Sequence, residues 1–299
     1  MQIISAGEKI RKLRLDLGLN QADLTNDEIT RGLISMIENN KRSLTYNTAR
    51  IIANSFNKYY KKLGKEITPD YLMESDIQYI ERLIQEGLDE MQPLLNNPMP
   101  GNQIAVETGI ERLINLSKEW KLDRLTAKLL ETRGRFYTAI YQYNDALRNY
   151  FLSLEYYLKE NLQGRAASLY TVIGSSYYHL SLYDQALLYY FQAENMLIKH
   201  PHTFDDLELK KGYTIYNKAL CHRKLKDLKS VLEALNQFKV LNLDNDNLNL
   251  LMLLLEGDMY RDLHNYNKSE KIYDQILKSK NCTSELLLLV YDSYAIMHY

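Results

Sequence analysis

The sequence predicts an all-α protein, a small basic head followed by a long array of helical hairpins, and three observations carry that reading. Only 12 glycines and 5 prolines interrupt 299 residues, while Leu, Lys, Glu, Gln and Tyr recur at helical spacing. Apolar residues make up 45% of the chain, enough to supply cores for two domains or for one domain and an extended array. In the second half, a glycine, an aromatic and a small residue return at constant internal spacing, the signature of stacked hairpins.

The first predicted helix follows Gly7, with Ile10, Leu13 and Leu17 on one face, Lys9, Arg11, Lys12 and Arg14 around it, and Gly18 where a C-cap belongs. Asn20 then caps a short helix carrying Gln21 and Leu24. A third helical stretch runs on from Ile29, and a fourth holds Ala49, Ile52, Ala53 and Phe56 at core spacing. Residues 58–65 close the head, which places a boundary at 66 and divides the chain into 1–66 and 67–299. Residues 1–65 carry 12 lysines and arginines against 6 acidic residues, and the rest carries 25 against 32. A basic head on an acidic body suits a head that meets phosphate and a body that avoids it, although a basic surface also serves solubility alone.

These helices resemble the Xre/Cro repressor family of helix-turn-helix domains over about residues 6–65, most specifically in the run ISMIENNKR at 34–42. The resemblance implies binding to double-stranded DNA through Gln21 at the start of the second helix and through Thr30, Arg31, Gly32, Leu33, Ser35 and Met36 of the third. Lys41 and Arg42 would follow near phosphates. A helix in the major groove presents its N-terminal residues to base edges, and Arg suits a bidentate contact with guanine. Glu38 reads as structural, since DNA repels an acid. The glycine usual between the second and third helices is absent, with Asn26, Asp27 and Glu28 in its place, which leaves the phase of Gln21 open by about one residue.

Pro69 is suited to the first turn of a new helix, and the segment 70–95 reads as helical. The clearest break in the chain, with Pro98, Pro100 and Gly101, spans 96–102. An additional helix is expected over 103–119 and a final one over 284–299. Between them, Leu130, Arg133, Gly134, Tyr137, Ala146 and Tyr150 meet most of the tetratricopeptide pattern. Tyr170, Ile173, Gly174, Tyr177, Ala186 and Tyr190 repeat it, as do Leu253, Glu256, Gly257, Tyr260, Ser269 and Tyr273. A weaker copy runs through Ile215, Ala219, His222, Val231 and Leu235. Tyr143, Tyr183 and Tyr266 recur at the turn inside each hairpin, so most of the 25 tyrosines are assigned to packing. The full fold expectation is a helix-turn-helix domain followed by a tetratricopeptide-like right-handed superhelical array.

The first helix of each hairpin lines the concave face of such an array. Counted from the repeat glycines, inward positions include Glu131, Arg135, Thr138, Thr171, Ser175 and Tyr178, then Tyr216, Asn217, Leu220 and Arg223, then Leu254, Asp258 and Arg261. The Asn217 amide suits a peptide backbone, and Arg135, Arg223 and Arg261 suit carboxylates. Each position is equally served by an exposed polar residue or an internal ion pair, such as Asp258 with Arg261.

A helix-turn-helix head on a tetratricopeptide body resembles the peptide-pheromone-responsive regulators of Gram-positive bacteria, the Rgg, PlcR, PrgX and NprR group. The resemblance covers nearly the whole chain by architecture and only the head and repeat signatures by residue. It implies a homodimeric quorum-sensing transcription regulator whose body holds a short signalling peptide. A groove for a folded protein partner, or a repressor independent of peptide, is the competing reading. For an enzyme the sequence offers almost nothing: the six histidines form no ligand motif, and no nucleophile turn or phosphate loop appears. No cofactor or metal is expected. Cys221 and Cys282 read as ordinary thiols. With no signal-like N-terminus and no apolar run of about 18 residues, a cytoplasmic location is expected.

Overall fold

The computed structural model describes residues 5–60 and 66–298, and among the described residues every regular element is helical. The first four residues, the stretch 61–65 with three of the lysines counted toward the head, and Tyr299 lie outside the described residues. The chain divides into two compact units, Met1–Asn97 with Asn102–Leu125, and Pro98–Gly101 with Thr126–Tyr299.

The first unit opens with α1 (Ala6–Asp16), a single 3-10 turn (Gln21–Leu24), α2 (Arg31–Glu38), α3 (Tyr46–Tyr60) and the short α4 (Pro69–Met73). Ser5 and Glu8 form a reciprocal cap at the start of α1, and Gly18 ends the segment at φ 68°. Gly7 is required by packing, because a Cβ there would run into the carbonyl oxygen of Ile37 where α1 meets α2. Ile10, Leu24, Ile34, Ile52 and Phe56 form the buried core, joined by Ile67 and Leu72 from α4 and the stretch before it. Asn57 fixes that stretch by trading two hydrogen bonds with the backbone of Ile67, at 2.7 and 2.8 Å.

The segment 70–95, expected to be helical, is helical as two pieces, α4 and α5 (Asp76–Asn96). The break lies at Glu74 and Ser75. Ser75 and Gln78 make a capping box that starts α5, and the freed carbonyls of Tyr71 and Glu74 accept from Lys9 Nζ at 3.1 and 2.6 Å. The break over 96–102 and the helix over 103–119 are as expected: α5 stops at Asn96 and α6 spans Gln103–Glu119. Gly87 faces Leu113 and Gly109 faces Met91, so α5 and α6 approach at a glycine on either side.

The second unit stacks helical hairpins. α7 (Asp123–Ala139), α8 (Tyr143–Lys159), α9 (Gln163–His179) and α10 (Tyr183–Lys199) begin at a constant step of 20 residues. They continue into α11 (Leu207–Lys224), α12 (Leu228–Leu241), α13 (Asp246–Asp262), α14 (Tyr266–Leu277) and the final α15 (Ser284–His298). The tight joints after α7, α8, α9, α11 and α13 share one geometry. Tyr141, Asn161, Ser181, Lys226 and His264 each take a left-handed φ of 54–63°, and the following residue donates to a carbonyl five residues back.

The hairpins α7–α8, α9–α10 and α13–α14 each close on a glycine. A Cβ on Gly134, Gly174 or Gly257 would stand 2.5–2.7 Å from the ring of Tyr150, Tyr190 or Tyr273 on the paired helix. These are the glycine and second aromatic of the repeat pattern. In the weaker copy, Ala219 replaces the glycine and Leu235 the tyrosine, both buried in one apolar cluster. A smaller partner accommodates the added methyl.

Candidate functional site

In the head, α2 owes its position to caps and to one buried charge cluster. Thr30 Oγ1 accepts from Leu33 N–H at 3.3 Å, and the far end closes at Asn40, whose φ of 56° lets the Lys41 N–H donate to Met36 O at 2.8 Å. Glu38 is 3% exposed and accepts from Arg14 Nε at 2.7 Å, Arg14 Nη2 at 2.9 Å and Gln21 Nε2 at 2.8 Å. One carboxylate thus binds α1, the 3-10 turn and α2 together. Burial alone would raise the Glu38 carboxyl, yet the hydrogen bonds from Arg14 and Gln21 hold it below its usual range, and the Arg14 guanidinium is raised in turn.

That cluster leaves the outer face of α2 free of acid. Thr30, Arg31, Gly32, Met36, Lys41 and Arg42 are exposed, and Leu33 and Ser35 are half-buried. Gln21 is half-buried, with one amide hydrogen committed to Glu38. The missing glycine is explained by Asn26, whose Oδ1 accepts from the Glu28 and Ile29 N–H groups at 3.0 and 2.9 Å, a side-chain turn that needs no positive φ. Two cations counted as surface charge, Lys9 and Arg14, face inward at 7% and 8% exposure. The head's basic surface is therefore smaller than the charge count suggests.

In the second unit, several inward positions also carry the tyrosine hydroxyls that pass the repeat glycines. Tyr150 OH meets Thr138 at 2.9 Å, Tyr190 OH meets Ser175 at 3.1 Å, and Tyr273 OH donates to Asp258 at 2.7 Å. A buried tyrosine needs such a partner. Arg135 pairs with Glu131 one turn back, and Glu131 also accepts from Tyr157 OH at 2.9 Å.

Arg223, Asp258 and Arg261 come together in one network. Asp258 is 7% exposed; it pairs with Arg223 and, at 3.2 Å, with Arg261, and accepts from Tyr273 and Ser293. Asp262 lies 3.2 Å from both arginines, so α11, α13, α14 and α15 share one charge cluster. Tyr178 and Tyr216 flank it, and burial pushes the Tyr216 phenol up to about 12. Asn217 is half-buried and, among the described residues, its amide has no hydrogen-bond partner.

Arg135 and Thr171 sit apart from that network, on a cavity of about 260 Å³ between α9, α10 and α11. Sequence reasoning missed most of its wall: Ser168, Leu197, Phe204, Lys210 and Thr214. Part of the signal was available, because Ser168 and Thr214 lie one helical turn before Thr171 and Asn217, on the same stripe. Phe204 belongs to the connector between α10 and α11 and had no periodic marker.

The helix-turn-helix family pattern matches residues 10–63. No curated protein matches the chain. Among solved structures, the chain is similar to Bacillus thuringiensis PlcR in complex with the peptide PapR7 and DNA, at 16% identity over 98% of this chain and 96% of that one, with a TM-score of 0.43. It is also similar to the Streptococcus dysgalactiae SHP pheromone receptor Rgg2. A cysteine-to-serine variant of that receptor aligns at 11% identity over 98% of each chain with a TM-score of 0.39. The receptor itself aligns at 11% identity over 98% of this chain and 99% of that one, with a TM-score of 0.36.

Proposed function

We propose that this protein is a homodimeric transcription regulator that reads DNA through α2 and is controlled by a short peptide held by its helical array. The observation that carries the DNA reading is the division of labour within α2. Its exposed face carries Arg31, Gly32 and Met36, and its one acid, Glu38, is locked behind against Arg14 and Gln21. Arg31 then reads a base edge, with Thr30, Leu33 and Ser35 beside it, while Lys41 and Arg42 meet phosphates. Residues 1–66 serve as the DNA-contacting head and 67–299 as the body for dimerisation and peptide binding, acting in the cytoplasm.

The free Asn217 amide and the cavity beside Arg135 and Thr171 support the peptide reading. Thr138, Ser175, Tyr178, Tyr216, Arg223, Asp258 and Arg261 complete the inward stripe. Support for a second copy comes from α15, where Leu288 and Ile296 are 67% and 65% exposed beside Tyr291 at 58%. The test is selection of duplexes from a random library, followed by binding of the winners to wild type and Arg31→Ala. A recovered two-fold site with half-sites about 34 Å apart, weakened by the substitution, is the expected result. Enrichment of no sequence would refute the reading.

A further inference from the structure

We propose that the cavity between α9, α10 and α11 seats the C-terminal residue of a peptide, its apolar side chain inside and its carboxylate on Lys210. This rests on the reading of the body as a peptide binder and adds which end of the peptide is recognised, and by what.

The cavity of about 260 Å³ has room for one large side chain, and Val172, Ala193, Leu197 and Phe204 give it apolar walls. Phe204 is presented by the connector after α10, which sits directly on α9: a Cβ on Gly164 would lie 3.2 Å from the Thr203 carbonyl oxygen. A second cavity of about 460 Å³ adjoins it and shares Ser168, Phe204 and Lys210.

The polar groups select the ligand. Ser168 donates to Gly164 O at 3.1 Å, Thr171 to Ala167 O at 3.2 Å and Thr214 to Lys210 O at 2.8 Å. Each hydroxyl has spent its one hydrogen on its own helix and offers only lone pairs, so the wall accepts N–H groups. Lys210 is half-buried where the two cavities meet, and its ammonium has no hydrogen-bond or ion-pair partner among the described residues. Arg135, by contrast, already holds Glu131, and Arg165 lines only the second cavity, not the apolar one. Among the described residues, Lys210 is thus the cation without an ion-pair partner that lines both cavities.

An apolar group, an N–H donor and a carboxylate within reach of one another describe the last residue of a peptide. A peptide N-terminus would bring its ammonium to Lys210 and be repelled. A fatty acid would supply the carboxylate and the chain but leave the hydroxyl oxygens desolvated without a donor.

The experiment uses full-length protein and fluorescently labelled heptapeptide pools ending in Leu or Phe, prepared as free acids and as C-terminal amides, with binding read by anisotropy. The free acids are expected to bind about tenfold tighter than the amides, the scale of one charge-assisted hydrogen bond. Lys210→Gln is expected to erase that difference. Because the acid-to-amide comparison is made on wild type, it holds even if the variant folds poorly.

Equal binding of acid and amide, or a difference that survives in Lys210→Gln, overturns the seat while the peptide reading stands. Failure of every pool to bind overturns both. Displacement of the bound peptide acid by octanoate at a comparable concentration overturns the assignment to a peptide terminus.

Discussion

Replacing Gly174 by Ala tests how the hairpins are built. The new methyl would lie 2.7, 2.8 and 3.0 Å from three carbons of the Tyr190 ring, which is 2% exposed and has no room to retreat. Overpacking of this kind costs about 2 kcal/mol, and displacing the ring also breaks its bond to Ser175, about 1 kcal/mol more. The gain in helix propensity returns about 1 kcal/mol, which leaves a net loss of about 2 kcal/mol. The chain contains its own remedy in Ala219 facing the cluster of Leu235. Gly174→Ala combined with Tyr190→Leu is therefore expected to be more stable than the sum of the two single losses by at least about 1 kcal/mol. Urea unfolding followed by circular dichroism measures all four proteins of the cycle. Additive losses within about 0.5 kcal/mol, or a stabilising Gly174→Ala, would refute the account of the repeat glycines.

Removing the Glu38 charge by Glu38→Gln leaves Arg14 buried without its counter-ion and is expected to cost about 3 kcal/mol in the head, read by urea unfolding. Because the folded Glu38 carboxyl lies below its unfolded value, its contribution is complete above the unfolded value and fades as pH falls through the folded one. Wild type should thus lose its advantage over Glu38→Gln below about pH 4. At the joint after α11, Lys226 is exposed with φ 62°, so Lys226→Gly should raise stability by about 0.5 kcal/mol and Lys226→Val lower it, both visible as shifts in Tm. In DNA binding, Arg31→Ala should cost about 1–3 kcal/mol at the preferred site and relax one position. Lys41→Ala should weaken all sequences alike and reduce the salt slope by about one.

The elements most legible in the sequence are those whose packing needs a particular residue type. Gly134, Gly174 and Gly257 mark the hairpins because no side chain fits against Tyr150, Tyr190 and Tyr273, and that requirement survives at constant spacing. Gly18 marks its turn for a different reason, a left-handed backbone at φ 68° with open space around it. The split between α4 and α5 was also written in the chain, as Ser75 and Gln78 at capping-box spacing. The joints at Tyr141, Ser181, Lys226 and His264 carried no such marker, since their left-handed conformation is imposed by helices already packed on either side.

Charge was the least legible property. Lys9 and Arg14 count as cations in any tally, yet they face inward because carbonyls left free at the end of α4 and the Glu38 carboxylate need them there. Asp258 and Arg261 were readable as a pair at three residues' spacing, but their joining to Arg223 and Ser293 depends on how α11 and α15 meet α13. The cavity needed three helices and a connector to be placed, and periodicity identified only the stripe on which Thr171 lies.

The central claim is most directly tested by titrating the purified protein onto DNA from its own upstream region, across a salt series, with and without a pool of short synthetic peptides. Tight binding that falls steeply with salt and is altered by the peptides is the predicted result. Binding indifferent to every peptide would contradict peptide control, and no specific binding at low salt would contradict the regulator itself.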